Sequence, residues 1–209
     1  MSVLSFEGTH PILYGTATLT AGVRHARGYL ARPDLEGAFP GVLVVNADLG
    51  SAQKDLCRML ARHGYAALAP DLGAWSGALA VGIGFMTSAD WLTQQGTAAL
   101  AFGEGGLALV SQPPDRLGAL GLIGVPIQRR VELGGVRVLG LYGGDDLFVV
   151  GGGLTRLRRD LPEASWVVYR EAGPGFFWGD HDTYREAAAA DATSRILAFL
   201  SAWQPAPAP

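Results

Sequence analysis

The chain has 209 residues, 49% hydrophobic and 17% charged, which is enough for one domain around a sizeable core and too apolar for a disordered segment. A formal net charge of −3 argues against a phosphate-coating surface; the short basic groups Arg129-Arg130 and Arg156, Arg158, Arg159 lack interleaved aromatics and are read as solvated loop and helix faces, with no nucleic-acid partner. A single cysteine, Cys57, excludes an intrachain disulfide and a multi-cysteine metal site, and suits a reducing, cytoplasmic compartment.

The opening MSVLSFEGTHPILYG has no basic start, no continuous apolar core and no small-residue cleavage pattern, so no secretory signal is expected. Residues 14–20 and 24–32 alternate in polarity on either side of Ala21-Gly22 and predict an antiparallel hairpin. GVLVV (41–45) is a continuous β-branched run of the kind buried on both faces in a parallel strand. A helix follows, with Ser51 as N-cap, Leu56, Met59, Leu60 and His63 at helical spacing, and Gly64 as the stop.

YAALAPDL (65–72) is the next strand. From Leu72 to Ala89 no residue is charged, approaching the roughly 20 apolar residues of a membrane span. Gly73, Gly77, Gly82 and Gly84 mark it instead as a buried loop over the core, and no membrane association is expected. The Ala- and Leu-rich stretch from Trp91 towards Val110 reads as mainly helical despite Gly96, Gly103, Gly105 and Gly106. Strands are predicted over 117–123, 136–142 and 165–170, with a short basic helix over 154–161 preceded by Gly151-Gly152-Gly153. The last helix carries a capping box, Thr183-Tyr184-Arg185-Glu186, and runs to Trp203. Residues 1–203 are taken as one domain and 204–209, QPAPAP, as a frayed tail.

Strands alternating with helices after a hairpin predict an α/β fold: a mostly parallel central sheet, helices on both faces, and ligands at the carboxyl ends of the strands. The order of GYLARPD, PGVLVV, LCRMLARHGYAALAPDL, GLYGGDDLFV and VVYREAGPGFFW resembles the dienelactone hydrolase family of α/β-hydrolases over most of the chain. That resemblance implies an α/β-hydrolase-like fold and carboxylic ester or lactone hydrolysis by a Cys nucleophile, an Asp acid and a His base, each on a loop after a strand. All three are needed, because the imidazole must deprotonate the nucleophile while the carboxylate holds it in the right tautomer.

Carried over residue by residue, the family's Gly-x-Cys-x-Gly turn falls on Gly121-Leu122-Ile123-Gly124-Val125, so the nucleophile slot holds Ile123. The acid slot, in Gly143-Gly144-Asp145-Asp146, is filled by Asp146. The base slot, in Ala172-Gly173-Pro174-Gly175-Phe176, holds Pro174, which cannot accept a proton. A ligand-orienting carboxylate of the family maps to Ala47, beside Asp48. In α/β-hydrolases the turn opens a long helix aimed at the oxyanion; here only VPIQRRVELGG, 11 residues, separates Gly124 from the next strand, so a shortened crossing without that helix is expected.

The parts available for relocated catalysis are His181 as base and Ser51 or Cys57 as nucleophile, yet an exposed loop histidine, an N-cap serine and a buried mid-helix thiol are the plainer readings. Ser76 in AWSGA lacks the strand-turn-helix context of a nucleophile elbow. His10, His25 and His63 form no pair with ligand spacing, so neither metal nor cofactor is expected. Trp75, Phe176, Phe177 and Trp178 are core filling or the lining of a ligand pocket. The chain is therefore expected to be a non-catalytic homologue that binds a small apolar ligand or a partner, the alternative being an active ester or lactone hydrolase with relocated groups. Oligomeric state is not legible.

Overall fold

The run FPGVLVV is buried at all seven positions, and its neighbours explain why: it lies inside a sheet with a strand on each side and helices over both faces. The computed structural model describes residues 8–73 and 77–204. In chain order the elements are β1 (Ile12–Ala21), β2 (Arg24–Pro33), β3 (Phe39–Val45), α1 (Ser51–Arg62), β4 (Ala66–Pro70), α2 (Ala78–Ser88), β5 (Leu92–Phe102), α3 (Gly106–Ser111), β6 (Leu117–Ile123), β7 (Arg137–Gly143), α4 (Leu147–Val150), α5 (Gly153–Asp160), β8 (Ser165–Tyr169) and α6 (Glu186–Trp203). The eight strands form one sheet in the order β1-β2-β4-β3-β5-β6-β7-β8. The β1–β2 and β2–β4 pairs are antiparallel and every later pair is parallel, so the expected hairpin and mostly parallel sheet are both present.

Strand periodicity divides the core in two. In β3, Val42 and Val44 face α1 and α6, while Leu43 and Val45 face α2 and α3; β7 does the same with Leu139 and Leu141 against Val138 and Tyr142. α6 presents Ala189, Ala192, Thr193, Ile196 and Leu200 to the sheet at the three-and-four spacing of an amphipathic helix.

Several expectations need correction. The stretch 92–102 is a strand. Ala and Leu favour helix intrinsically, but Ala98 to Phe102 are fully enclosed between β3 and β6, where the ladder uses their backbone groups and burial outweighs propensity. Gly96, at φ 114°, lies in the irregularity that shifts the β3–β5 register between Leu92 and Thr97. The uncharged stretch from Leu72 to Ala89 contains α2 in place of a loop. Its glycines are there for close packing: a β-carbon on Gly82 would come 2.7 Å from Pro70, and one on Gly84 2.7 Å from Ala21. Trp75 and Ser76 lie outside the described residues.

Helix ends also differ from the sequence reading. α1 begins at Ser51 with Gly50 as N-cap and no side-chain cap bond. The capping box of α6 does not form, because Arg185 occupies the N-cap and Thr183 bonds elsewhere. Gln204 is not frayed: it is buried, its side-chain amide donates to Thr93 Oγ1 at 2.6 Å, and the Tyr65 hydroxyl donates to its carbonyl. Residues 205–209 fall outside the described part. Among the described residues no helix is long and apolar enough to cross a membrane.

If β5 is the central strand described, Leu100→Ala, fully buried against α1 and α6, lowers unfolding free energy by about 3 kcal/mol. Val23→Ala, 94% exposed at the hairpin tip, changes it by less than about 0.5 kcal/mol. Urea titrations of the two variants beside the parent check this.

Candidate functional site

The parallel strands β3, β5, β6 and β7 end on the same side of the sheet, and the loops that follow them, with the loop after β8, enclose a cleft of about 740 Å3. This is where a sheet of this type collects ligands, because the loops diverge there and leave space. Each strand contributes: Asn46 after β3, Phe102 and Glu104 at the end of β5, Ile123 and Gly124 at the end of β6, Asp145 and Asp146 after β7. Pro174, Phe177, Trp178 and His181 come from the loop between β8 and α6. The structure thus brings Ile123, Asp146 and Pro174 together with His181, and leaves Ser51 and Cys57 outside.

Ile123 is the last residue of β6 and is 2% exposed, with its side chain in the core on the α1 and α6 side. The turn itself is made by the next residue: Gly124 has φ 61°, a left-handed conformation that glycine adopts without steric cost. Its N–H donates to the Leu141 carbonyl at 3.0 Å. A β-carbon built on Gly124 would lie 2.9 Å from the Pro174 carbonyl oxygen, so the loop after β8 closes directly onto the turn. The sequence centres the turn on Ile123; the left-handed position is one residue later and has no side chain at all.

After Gly124 the chain crosses to β7 without a helix, as the 11-residue spacing predicted. The Tyr142 hydroxyl donates to the Val125 carbonyl at 3.0 Å and pins the start of this crossing; burial pushes that phenol well above its ordinary range, with the Asp146 charge adding to the effect.

Asp146 is buried, and one carboxylate oxygen accepts the Phe148 N–H at 2.8 Å, capping the short helix α4. Burial raises its pKa and the Phe148 hydrogen bond opposes the rise, so desolvation dominates. His181 is exposed. Its Nδ1 lies 3.2 Å from the Thr183 N–H, which it accepts, and 3.0 Å from Thr183 Oγ1, while that Oγ1 accepts the Gly175 N–H at 3.0 Å. The imidazole is packed so closely over Gly175 that a β-carbon there would come 2.1 Å from Nδ1. These contacts brace the loop, with Thr183 Oγ1 bridging the Gly175 N–H and the His181 ring.

Cys57 is fully buried in α1, and burial pushes its thiol well above the ordinary range, with Arg58 opposing weakly. Such a thiol is a core side chain and not a nucleophile. Ser51 is exposed at the start of α1 and does not line the cleft. Ala47 sits against α3, where a β-carbon on Gly105 would come 2.1 Å from its nitrogen. Glu104, Asn46 and Gln128 line the cleft and were not singled out from sequence. The signal that could have found them is position: each stands within a few residues of the carboxyl end of a buried strand. Phe102, Phe177 and Trp178 pack on one another with centroids 4.5–5.2 Å apart and make an aromatic wall. Among the described residues no group of three His, Cys, Asp or Glu side chains could hold a metal.

A family model described as "Dienelactone hydrolase family" matches residues 26–96. A Yersinia pestis protein named "Putative carboxymethylenebutenolidase" is 26% identical over 240 residues, covering 92% of this chain and 90% of that one. The chain is dienelactone-hydrolase-like, on an α/β-hydrolase fold. The fold is shared with a crystal structure titled as a putative dienelactone hydrolase from Klebsiella pneumoniae (TM-score 0.74, 24% identity, 92% of this chain and 99% of that one). It is also shared with a dienelactone hydrolase from Anabaena variabilis (TM-score 0.70, 17% identity, 93% and 99%). The segment matched by the family model stops short of β6, so Ile123, Asp146 and Pro174 all lie beyond it.

The cap at Asp146 makes a prediction with a pH sign. Asp146→Ala loses the bond to Phe148 and costs about 1 kcal/mol at neutral pH. Asp146→Asn keeps an acceptor and sheds the buried charge. A carboxyl raised in the folded state destabilises the protein as pH rises from the ordinary value of 3.8 to the raised one, and the penalty is constant above that. Asp146→Asn therefore gains most over the parent at neutral pH, and the gain shrinks as pH falls through that window. Urea midpoints at several pH values test both signs.

Proposed function

We infer that this dienelactone-hydrolase-like protein is non-catalytic and uses the cleft at the ends of β3, β5, β6 and β7 to bind a small, uncharged, largely apolar molecule. The carrying observation is the turn after β6. A nucleophile there would need a side chain at the turn and space above it, and Gly124 has neither, since the Pro174 carbonyl sits 2.9 Å from where a β-carbon would be. Ile123, the residue aligned with the nucleophile, is an aliphatic buried to 2% exposure. Pro174 offers no proton acceptor other than a backbone oxygen. Removing nucleophile and base from such a unit leaves only binding-level rate enhancement.

The lining supports a binding role. Phe102, Phe177 and Trp178 give an apolar wall suited to a planar or aliphatic body. Among the described residues, Glu104, Asp145 and Asp146 are the acidic groups of the cleft and no Lys or Arg lines it, which disfavours an anionic ligand.

The expected outcome with p-nitrophenyl acetate is neither a burst nor a covalent adduct, and Ile123→Cys alone creates no turnover. A neutral apolar probe, N-phenyl-1-naphthylamine, binds saturably, and Trp178→Ala weakens it several-fold with the fold intact by circular dichroism. Ester turnover well above background that survives Cys57→Ala overturns the non-catalytic reading; probe binding that ignores Trp178→Ala overturns the assignment of the ligand to the cleft.

A further inference from the structure

The basic groups that sequence reading assigned to solvated faces are not scattered. Arg129 and Arg130 from the β6–β7 crossing meet Arg156 and Arg159 of α5 around one groove of about 250 Å3, floored by the buried side chains of Ile127 and Leu157. Gathering four of the sixteen basic residues of a net acidic chain at one point costs Coulomb energy unless the charges are neutralised. Neutralisation within the protein is slight. Arg130 reaches Glu132 at 3.5 Å, and Asp160 lines the groove, but among the described residues Arg129, Arg156 and Arg159 make no ion pair or side-chain hydrogen bond. Arg58 and Arg195, by contrast, are engaged by Asp55 and Asp191.

We propose that this groove is a second binding site, distinct from the cleft, that takes a compact oxyanion with two or more negative charges, such as a phosphate or polycarboxylate group of a small metabolite. The residue type fits that chemistry. A guanidinium offers a planar fork of donors that matches carboxylate and phosphate oxygens in pairs, and it remains charged at any working pH.

Size and lining set the class. The volume equals about eight waters at roughly 30 Å3 each, room for a pyrophosphate or citrate but not for a run of nucleotides. Among the described residues no aromatic side chain lines the groove to stack bases. The groove and the cleft share Gln128, a neutral residue exposed between the acidic lining of one and the basic lining of the other. The proposal stands whether or not the cleft holds a ligand.

Calorimetric titration of the intact protein with sodium pyrophosphate and, separately, trisodium citrate at low ionic strength tests it, the two arms separating phosphate from carboxylate preference. The expected result is saturable one-to-one binding of at least one of them with Kd below about 1 mM. The double variant Arg156→Gln/Arg159→Gln weakens that binding at least tenfold. Arg158→Gln is the control: it removes the same kind of charge from the same helix outside the groove, and it leaves affinity within twofold. All three positions are exposed, so the variants should fold, and thermal unfolding verifies that they do. Equal weakening by Arg158→Gln, absence of saturable binding for both anions, or tighter binding of a DNA oligonucleotide than of pyrophosphate overturns the proposal.

Discussion

A single backbone contact organises this molecule's functional end: the Pro174 carbonyl lies over the α-carbon of Gly124. It joins the turn after β6 to the loop after β8, the two loops that carry nucleophile and base in α/β-hydrolases. Two backbones can come this close only where no side chain intervenes, so glycine at 124 and the descent of the 172–176 loop require each other. The loop is held down from the far side as well. Asp145 donates its N–H to the Ala172 carbonyl at 3.0 Å, Arg185 donates its N–H to the Phe176 carbonyl at 3.1 Å, and Thr183 accepts from Gly175. A side chain at position 124 would therefore need more than one substitution, because the space above it is filled by a loop anchored to β7 and to the start of α6.

How far the sequence discloses this depends on whether the cue is local. The β3, β6 and β7 strands announce themselves as continuous apolar runs between turn residues, since strands covered on both faces have no polar side to show. β5 does not, because Ala98 to Phe102 is an equally good helix sequence and only its position between β3 and β6 decides otherwise. The glycines of α2 mislead for a related reason: their purpose is contact with Pro70 and Ala21, which are distant in sequence or belong to another element.

The site divides along the same line. Asp146 is legible as a turn carboxylate because its partner, the Phe148 N–H, is two residues away. That Gly124 and not Ile123 makes the turn is a matter of one residue of strand length, below what a run of apolar letters resolves. The arginine groove is invisible in sequence because Arg129 and Arg156 are separated by a whole strand and a short helix. Each pair alone looks like ordinary solvated charge.

The short crossing from β6 to β7 links these features. In an α/β-hydrolase the residues after the turn wind into a helix whose N-terminal N–H groups face a developing negative charge. Here the same stretch of chain spans the gap extended, pinned by the Tyr142 hydroxyl at Val125, and it lays Ile127 and Val131 into the core on the α5 side. One segment cannot serve both purposes. Wound as a helix at the turn it would take up the residues that reach α5; stretched across, it gives up the helix N-terminus and brings Arg129 and Arg130 beside Arg156 and Arg159. The positive end that such a fold normally aims into its cleft is thus replaced by positive side chains on the outer side of the same crossing. Among the described residues the cleft has carboxylates and an aromatic wall but no Lys or Arg, and the groove collects arginines with little to balance them but Glu132 and Asp160.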